Sequence, residues 1–505
     1  MAKSTYSQTP LTSAFTRVFV IDGRARADHK PSYEACMRMQ GISQGFGDIE
    51  SIECPDPYNW GKFVEVAQIR GATERPTTTI ESRYMLDALS TLMDLARKGC
   101  SFDVHLHMGE CTDPSEFNTF KKAVVLESSQ LINYSTDELG ALSSGDNSEV
   151  NESADLSAVD LYEVFPLTMT EQAASVVTDE LIDVILCDSV SCGECEDQSD
   201  GCDKIYALTM AAGGSPSTPA DIVFSLNGGT VWYAHDVDTL GAAEEPDALA
   251  CVGSYIVVVS NETDSIHYAL KSEFAAVGDP DFTEIATGIV AAGSPNAIWS
   301  AGNKAFVVGD GGYVYKLEDA TAGVEVLSAG SATTDVLNAV HGISETFAVA
   351  VGNNGAVIFT TDGETWGSVA VDPTGGGEHL TGVAVRGEND WVVVSNAGNM
   401  YYTLDQGETW TAKGFPGSGT GVCRDIVFAT SSIGYLAHDT AAVRGRILRT
   451  YDGGYSWQVL PEGTGTLPLN DQVNALAACE DNPNFVVGVG LADNATDGFV
   501  VVGSA

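Results

Sequence analysis

The phrase "YYTLDQGETWTA" at 401–412 returns as "LRTYDGGYSWQV" at 448–459, and this repetition restricts the fold of the 505-residue chain more than any other feature. Both copies read Thr-x-Asp-x-Gly-x-Thr/Ser-Trp. They are carried by Thr403, Asp405, Gly407, Thr409 and Trp410, then by Thr450, Asp452, Gly454, Ser456 and Trp457. A third copy, "IFTTDGETWGSV", is one residue shorter and centres on Asp362 and Trp366. The copies stand about 43 to 47 residues apart, the length of one four-stranded propeller blade.

Weaker echoes keep the same period. "PNAIWSAG", "LNAVHGIS", "TGVAVRGE", "RDIVFATS" and "VNALAACE" recur about every 42 to 49 residues, and each precedes a Val-rich run such as "FAVAVGNNG" or "WVVVSNAGN". Short β-branched runs broken by Gly-Asn or Gly-Gly are strand and tight-turn chemistry. Continuous rather than alternating apolar character suits strands buried on both faces. Counting strand groups forward from "KIYALTM" predicts seven blades, with six and eight left open. Within each phrase the Asp is expected to accept N–H groups of the following turn, the Gly to permit positive φ, and the Trp to fold back over the sheets.

These residues resemble the Asp-box, or BNR, repeat, and the longer unit "NAVHGISETFAVAVGNNGAVIFTTDGETW" is similar to the propeller repeat of photosystem II stability and assembly factors. The resemblance covers about residues 204 to 505 and implies a fold rather than an activity. Asp362, Trp366, Asp405, Gly407, Trp410, Asp452, Gly454 and Trp457 are therefore expected to be structural. Sialidases also carry such boxes, and that family's chemistry needs arginines converging on a carboxylate. Residues 204–505 hold only Arg386, Arg424, Arg444, Arg446 and Arg449, three of them together in "VRGRILR". No enzyme is expected, and a sialidase-like glycoside hydrolase is the remote alternative.

Upstream the period disappears. "RVFVID", "DIESIECP", "KFVEVAQIRG", "PTTTIESR", "CSFDVHLHMGEC", "TFKKAVVLESSQLINYS" and "DLSAVDLYEVFPLTM" read as strands. Between them, "SRYMLDALSTLMDLARKG" predicts an amphipathic helix whose apolar side is Met85, Leu86, Leu89, Leu92, Met93 and Leu95. The expectation is mainly β: an N-terminal sandwich or barrel with one packed helix, followed by the propeller. The divisions are 1–186, a Cys-rich acidic junction at 187–203, and 204–505. His105 and His107 share a strand face without a third metal ligand, so they read as ordinary strand histidines.

Residues 10 to 180 resemble, in style, the major tail (tail tube) proteins of tailed bacteriophages. That likeness implies a virion structural subunit assembled in the host cytoplasm and stacking in hexameric or trimeric rings with other tail proteins. DNA would pass through the rings without specific binding, while the propeller projects outward. The alternative is a receptor- or carbohydrate-binding propeller protein anchored to a larger assembly, meeting a host-surface glycan or protein. A net charge of −46 disfavours binding to nucleic acid and to anionic membrane. No lysine or arginine occurs between Lys122 and Lys204, a stretch with nineteen acidic residues. An acidic lumen would repel DNA, and plain solubility explains the same charge. No stretch of 18 apolar residues and no apolar leader behind a basic start are found, so no membrane partner is expected.

Four cysteines, Cys187, Cys192, Cys195 and Cys202, crowd into "CDSVSCGECEDQSDGC". Their C-x4-C-x2-C-x6-C spacing leaves four states open: a disulfide brace, structural zinc, an iron–sulfur cluster, or reduced thiols. No cofactor is otherwise expected. The last blade reads one strand short, which would leave an unpaired edge. "DELIDVILC" at 179–187, or else "KIYALTM", is expected to fill it, so that the cysteine cluster locks both ends of the propeller together.

Overall fold

The computed structural model describes residues 16–22, 32–35, 37–43, 49–55, 63–70, 75–83, 102–108, 122–136, 151–172, 179–187, 202–210, 220–240, 246–261, 264–275, 280–285, 288–290, 292–321, 323–440, 445–460, 472–480, 482–491 and 498–504. It forms two compact units, Met1–Pro166 and Leu167–Ala505. The division therefore falls earlier than the sequence division at 186, because strands Thr168–Gln172 and Leu181–Leu186 belong to sheets of the second unit. The expected helix at 82–99 lies mostly outside the described residues.

In the first unit one antiparallel sheet follows the path Ser32–Ala35, Thr16–Asp22, Phe102–Met108, Lys122–Thr136, Asn151–Ser157, Thr77–Arg83, Met37–Ser43. Its two ends, Ala35 and Met37, are two positions apart in the chain. Two Cα–Cα steps span about 7 Å at most, so the sheet must curl back on itself. The long strand Lys122–Thr136 helps to turn the corner. Its first half pairs with Asp160–Val164 and its second half with Asn151–Ser157. Between the halves Ser128 takes φ 49°, with its N–H donated to the Asp103 carboxylate at 2.9 Å. Such bends are how strands pass from one layer to another. Phe102, Val104, Leu106, Val125, Leu126 and Leu156 are buried in this unit. A separate hairpin, Ile49–Pro55 with Phe63–Arg70, pairs with no other strand among the described residues.

The second unit contains seven four-stranded antiparallel sheets among its described residues. Six run through 181–236, 248–284, 295–329, 337–368, 380–413 and 422–459. The seventh takes three strands from 472–504 and its fourth, Thr168–Gln172, from the beginning of the unit. The first strand of each sheet packs on the first strand of the next, and that of the seventh packs on that of the first. These strands consequently surround a common axis, and the unit is a β-propeller.

The Val-rich runs are the second strands. Phe347–Gly352 is buried throughout, and Lys304–Gly309 and Asp390–Ser395 are buried after their first residue. Continuous apolar character is what burial between two sheets demands, and each such Val contributes about 1.5–3 kcal/mol. Leu181, Val184, Val223, Val487, Val489 and Val500 make one such layer between the first and seventh sheets.

A missing last strand was expected, and a segment from the N-terminal side does fill it, but not the expected one. Thr168–Gln172 pairs with Gly498–Ser504. "DELIDVILC" and "KIYALTM" instead form the first and second strands of the first sheet. The physical reason is position. An outermost strand is an edge strand that meets solvent, so it lacks the apolar run that marks an inner strand; the consecutive Thr170 and Glu171, on opposite faces, are both exposed, while Met169 is buried.

Candidate functional site

The expected site residues fall into two groups, turn boxes and cysteines. In the turn boxes the local sequence dictates the geometry. The Asp405 carboxylate accepts the N–H of Thr409 at 2.8 Å and the Thr409 hydroxyl at 2.6 Å, while Thr403 Oγ1 accepts the Gly407 N–H at 2.8 Å. Asp452 repeats this with Ser456 at 2.8 and 2.6 Å, and Thr450 Oγ1 accepts the Gly454 N–H at 2.8 Å. Asp362 makes the shortened version with Thr365. Gly407 and Gly454 have φ 80° and 90°. Trp457 donates its indole N–H to the Gly454 carbonyl and packs edge-on against Phe428. Trp366 is likewise buried and Trp410 packs against Trp391. The hydrogen bonds to Thr365 and Glu364 hold the Asp362 carboxyl well below the usual carboxylate range.

A fourth box escaped the sequence reading. In "SLNGGTVW" Ser225 replaces Thr and Asn227 replaces Asp at the same spacing from Gly229 and Trp232. Gly229 N–H donates to Ser225 Oγ at 2.9 Å, Val231 N–H to Asn227 Oδ1 at 2.9 Å, and Trp232 Nε1 to the Gly229 carbonyl at 2.9 Å. The signal was the spacing, which the changed residue types concealed.

The cysteine expectation needs correction. Cys187 joins Cys251, 64 residues away, and Cys202 joins Cys479, 277 residues away, with Cα–Cα distances of 6.0 and 5.8 Å. Such separations are ordinary for disulfides. Neither of the cluster's two described cysteines therefore pairs within the cluster. Cys192 and Cys195 lie outside the described residues. The first bridge ties the first sheet to the second, and the other ties it to the seventh. Of the two, only Cys202–Cys479 joins the two ends of the propeller, and it does so through a distant partner rather than through the expected closing strand. All four cysteines are among the residues lining one open cavity of about 500 Å³, together with Ser254, Lys271, Ser300, Asn303 and Glu480.

Around the axis the first strands carry buried polar groups. In six of the seven sheets the first strand has a bulge near its start, which re-aims a side chain. The Asp183 carboxylate accepts the N–H of Val184 and, from the next sheet, that of Leu249 at 2.9 Å. Asp425 does the same with Ile426 and Leu476. Burial pushes Asp183 up to about 7, with the nearby Asp425 charge adding to it, and Asp425 up to about 6. Burial pushes His341, which accepts the Val385 N–H, down to about 4.

Among the described residues, the four arginines after residue 204 have separate partners. Arg386 lies over Phe428 and donates to the Gly453 carbonyl at 2.6 Å. Arg449 is fully buried between Tyr435 and Tyr451 and donates to the Pro483 carbonyl. Arg424 pairs with Asp439, and Arg446 reaches the Pro416 carbonyl. Arg444 lies outside the described residues. Trp391 and Tyr401 are buried in the blades, whereas Trp299 is half-buried beside His341. His105 and His107 are buried with ring centroids 5.9 Å apart, and no group of three metal-ligating side chains occurs among the described residues.

The fold and these sites define a β-propeller protein with an added N-terminal β unit. No protein-family model and no curated relative matches the sequence. Among solved structures, "YCF48 bound to D1 peptide" is similar at 14% identity and TM-score 0.50, covering 68% of this chain and 96% of that one. "YCF48 from Cyanidioschyzon merolae" is similar at 12% identity and TM-score 0.49, covering 67% and 99%. "Structure of U3-55K" is similar at 11% identity and TM-score 0.46, covering 66% and 98%. The expected likeness to photosystem II assembly factor repeats thus holds at the level of the propeller fold.

Proposed function

We propose that this chain is a structural subunit of a larger assembly, a tail-tube-like protein of a phage virion whose residues 167–505 form an outward seven-bladed propeller. One observation carries the reading. The hairpin Ile49–Pro55 with Phe63–Arg70 has no further partner among the described residues. A lone two-stranded ribbon is marginal in water and its edges seek pairing. Identical hairpins from neighbouring subunits of a ring would satisfy them, and the curled sheet beside it would supply the ring wall. Within the first unit, residues 123–166 hold nine acidic residues and no lysine or arginine, which suits a conduit that must not hold DNA. The seven four-stranded sheets support the blade number.

A second reading is favoured by the 500 Å³ cavity, whose polar lining suits recognition of a polypeptide or glycan. One similar propeller is described as bound to a peptide. Electron microscopy of the purified full chain separates the two. Rings or tubes of defined symmetry are expected. A monomer at high concentration that captures a peptide or glycan would reject the tube and leave a recognition propeller.

A further inference from the structure

Two fastenings hold the same seam of the propeller. One is the strand Thr168–Gln172 on Gly498–Ser504, which begins two residues after the division between the units. It is held by hydrogen bonds and by Met169, which lies over Gly503. The other is the Cys202–Cys479 bridge between the first and seventh sheets. Cys187–Cys251 ties the first sheet to its other neighbour. A bridge deep in a blade would be out of reach of reductants until the protein unfolded. These two instead share one solvent-open cavity.

We propose that this cavity is a thiol–disulfide exchange site, and that the redox state of its two bridges decides whether the ring stays closed when the strand Thr168–Gln172 is displaced. The inference rests on the propeller and not on the tube reading. The co-substrate is a small dithiol. Its thiolate attacks Cys251, which is half-buried, whereas Cys187 is 1% exposed. The Cys187–Cys251 bond breaks, and Cys187 leaves as a thiolate and takes a proton. The second thiol of the reagent then attacks the mixed disulfide, releasing Cys251 and a cyclic disulfide. Two electrons pass from reagent to protein. At Cys202–Cys479 the reagent thiolate attacks Cys202, 6% exposed against 1% for Cys479, so that Cys479 leaves as the thiolate and takes a proton, and the second thiol then releases Cys202 and a cyclic disulfide. With both bridges open, the seam depends on the strand Thr168–Gln172 and the side-chain bonds between neighbouring sheets.

The test uses the full chain purified without reductant. Non-reducing peptide mapping should find Cys187–Cys251 and Cys202–Cys479. Dithiothreitol with an alkylating trap should open Cys187–Cys251 first, and both bridges faster than the protein unfolds globally. Opening only at the global unfolding rate, or free thiols at all four positions, would overturn the exchange site. For the latch, Met169→Ala should melt close to wild type when oxidised. When reduced it should melt earlier by more than the separate effects of substitution and reduction combined. Cys202→Ser should reproduce the reduced behaviour without dithiothreitol. Additive effects in both comparisons would overturn the latch.

Discussion

Asn474 donates its side-chain amide to the backbone carbonyl of Leu181 at 2.8 Å, across 293 residues of chain. The bond joins the innermost strand of the seventh sheet to that of the first. The same stitch recurs where the chain is continuous: Asn296 to the Leu337 carbonyl at 3.1 Å, Asn338 to Leu380 at 2.8 Å, and Thr381 to Cys423 at 2.7 Å. Each donor is the residue skipped by the register shift of a bulge.

If the seam is equivalent to the interior junctions, Asn474→Ala and Asn338→Ala should lower stability by similar amounts, about 1–2 kcal/mol each. Urea unfolding followed by tryptophan fluorescence measures both. A harmless Asn474→Ala beside a damaging Asn338→Ala would mean that the ring is open there.

The turn boxes should differ with their burial. Asp452 is 1% exposed and accepts the Ser456 N–H together with the hydroxyls of Ser456 and Thr450. Asp452→Ala is expected to cost about 2–3 kcal/mol. Asp362→Ala, at an exposed turn, should shift the urea midpoint less. Asn227→Ala should also destabilise, which checks the fourth box by the same measurement.

Gly454 combines φ 90° with a wall. An added Cβ would lie 2.1 Å from Tyr402 Oη, whose hydroxyl donates to the Gly454 carbonyl. Gly454→Ala should cost about 2–4 kcal/mol from backbone strain and overpacking together. Gly387→Ala, where a Cβ meets nothing within 4 Å, should be nearly neutral in thermal unfolding.

Stability should rise as pH falls from about 8 to about 5. Asp183 and Asp425 have folded values of about 7 and about 6, raised by burial, and Asp221 is raised to about 7 by burial and by Asp236. The native state therefore holds protons that the unfolded state releases, and this stabilisation is lost as pH rises through the folded values. His341 acts oppositely: its folded value is about 4, so it favours unfolding as pH falls below about 6.5. Burial also holds His438 below its ordinary value, and the three carboxyls outweigh these two imidazoles. Melting temperatures at constant salt should show the trend, and Asp183→Asn should flatten it. That variant also places an amide N–H against the N–H of Val184 or Leu249, lowering stability at every pH.

Much of the propeller was legible because its signals are local. A turn box needs seven or eight consecutive residues, and a strand buried on both faces needs only an unbroken Val run. In the N-terminal unit several β-branched runs became strands, but Ser32–Ala35 and Met37–Ser43, which lack such runs, were not legible, and the single strand expected over 155–169 covers parts of three. Asn227 shows the limit of residue-type matching, since a neutral amide accepts the turn N–H that a carboxylate accepts elsewhere.

What the sequence by itself determined was therefore the repeat period, the turn boxes, the inner strands and the need for an outside strand to complete the last sheet. Tertiary structure alone decided which strand that was, which cysteines met, and which aspartates became reluctant to ionise. Thr168–Gln172 has no apolar run because it is an edge strand that meets solvent. Cys202 and Cys479 carry no mark of their partnership across 277 residues. Ring closure brings the ends of the propeller together, and only then do its first and seventh sheets share a core, a covalent bridge and a cavity.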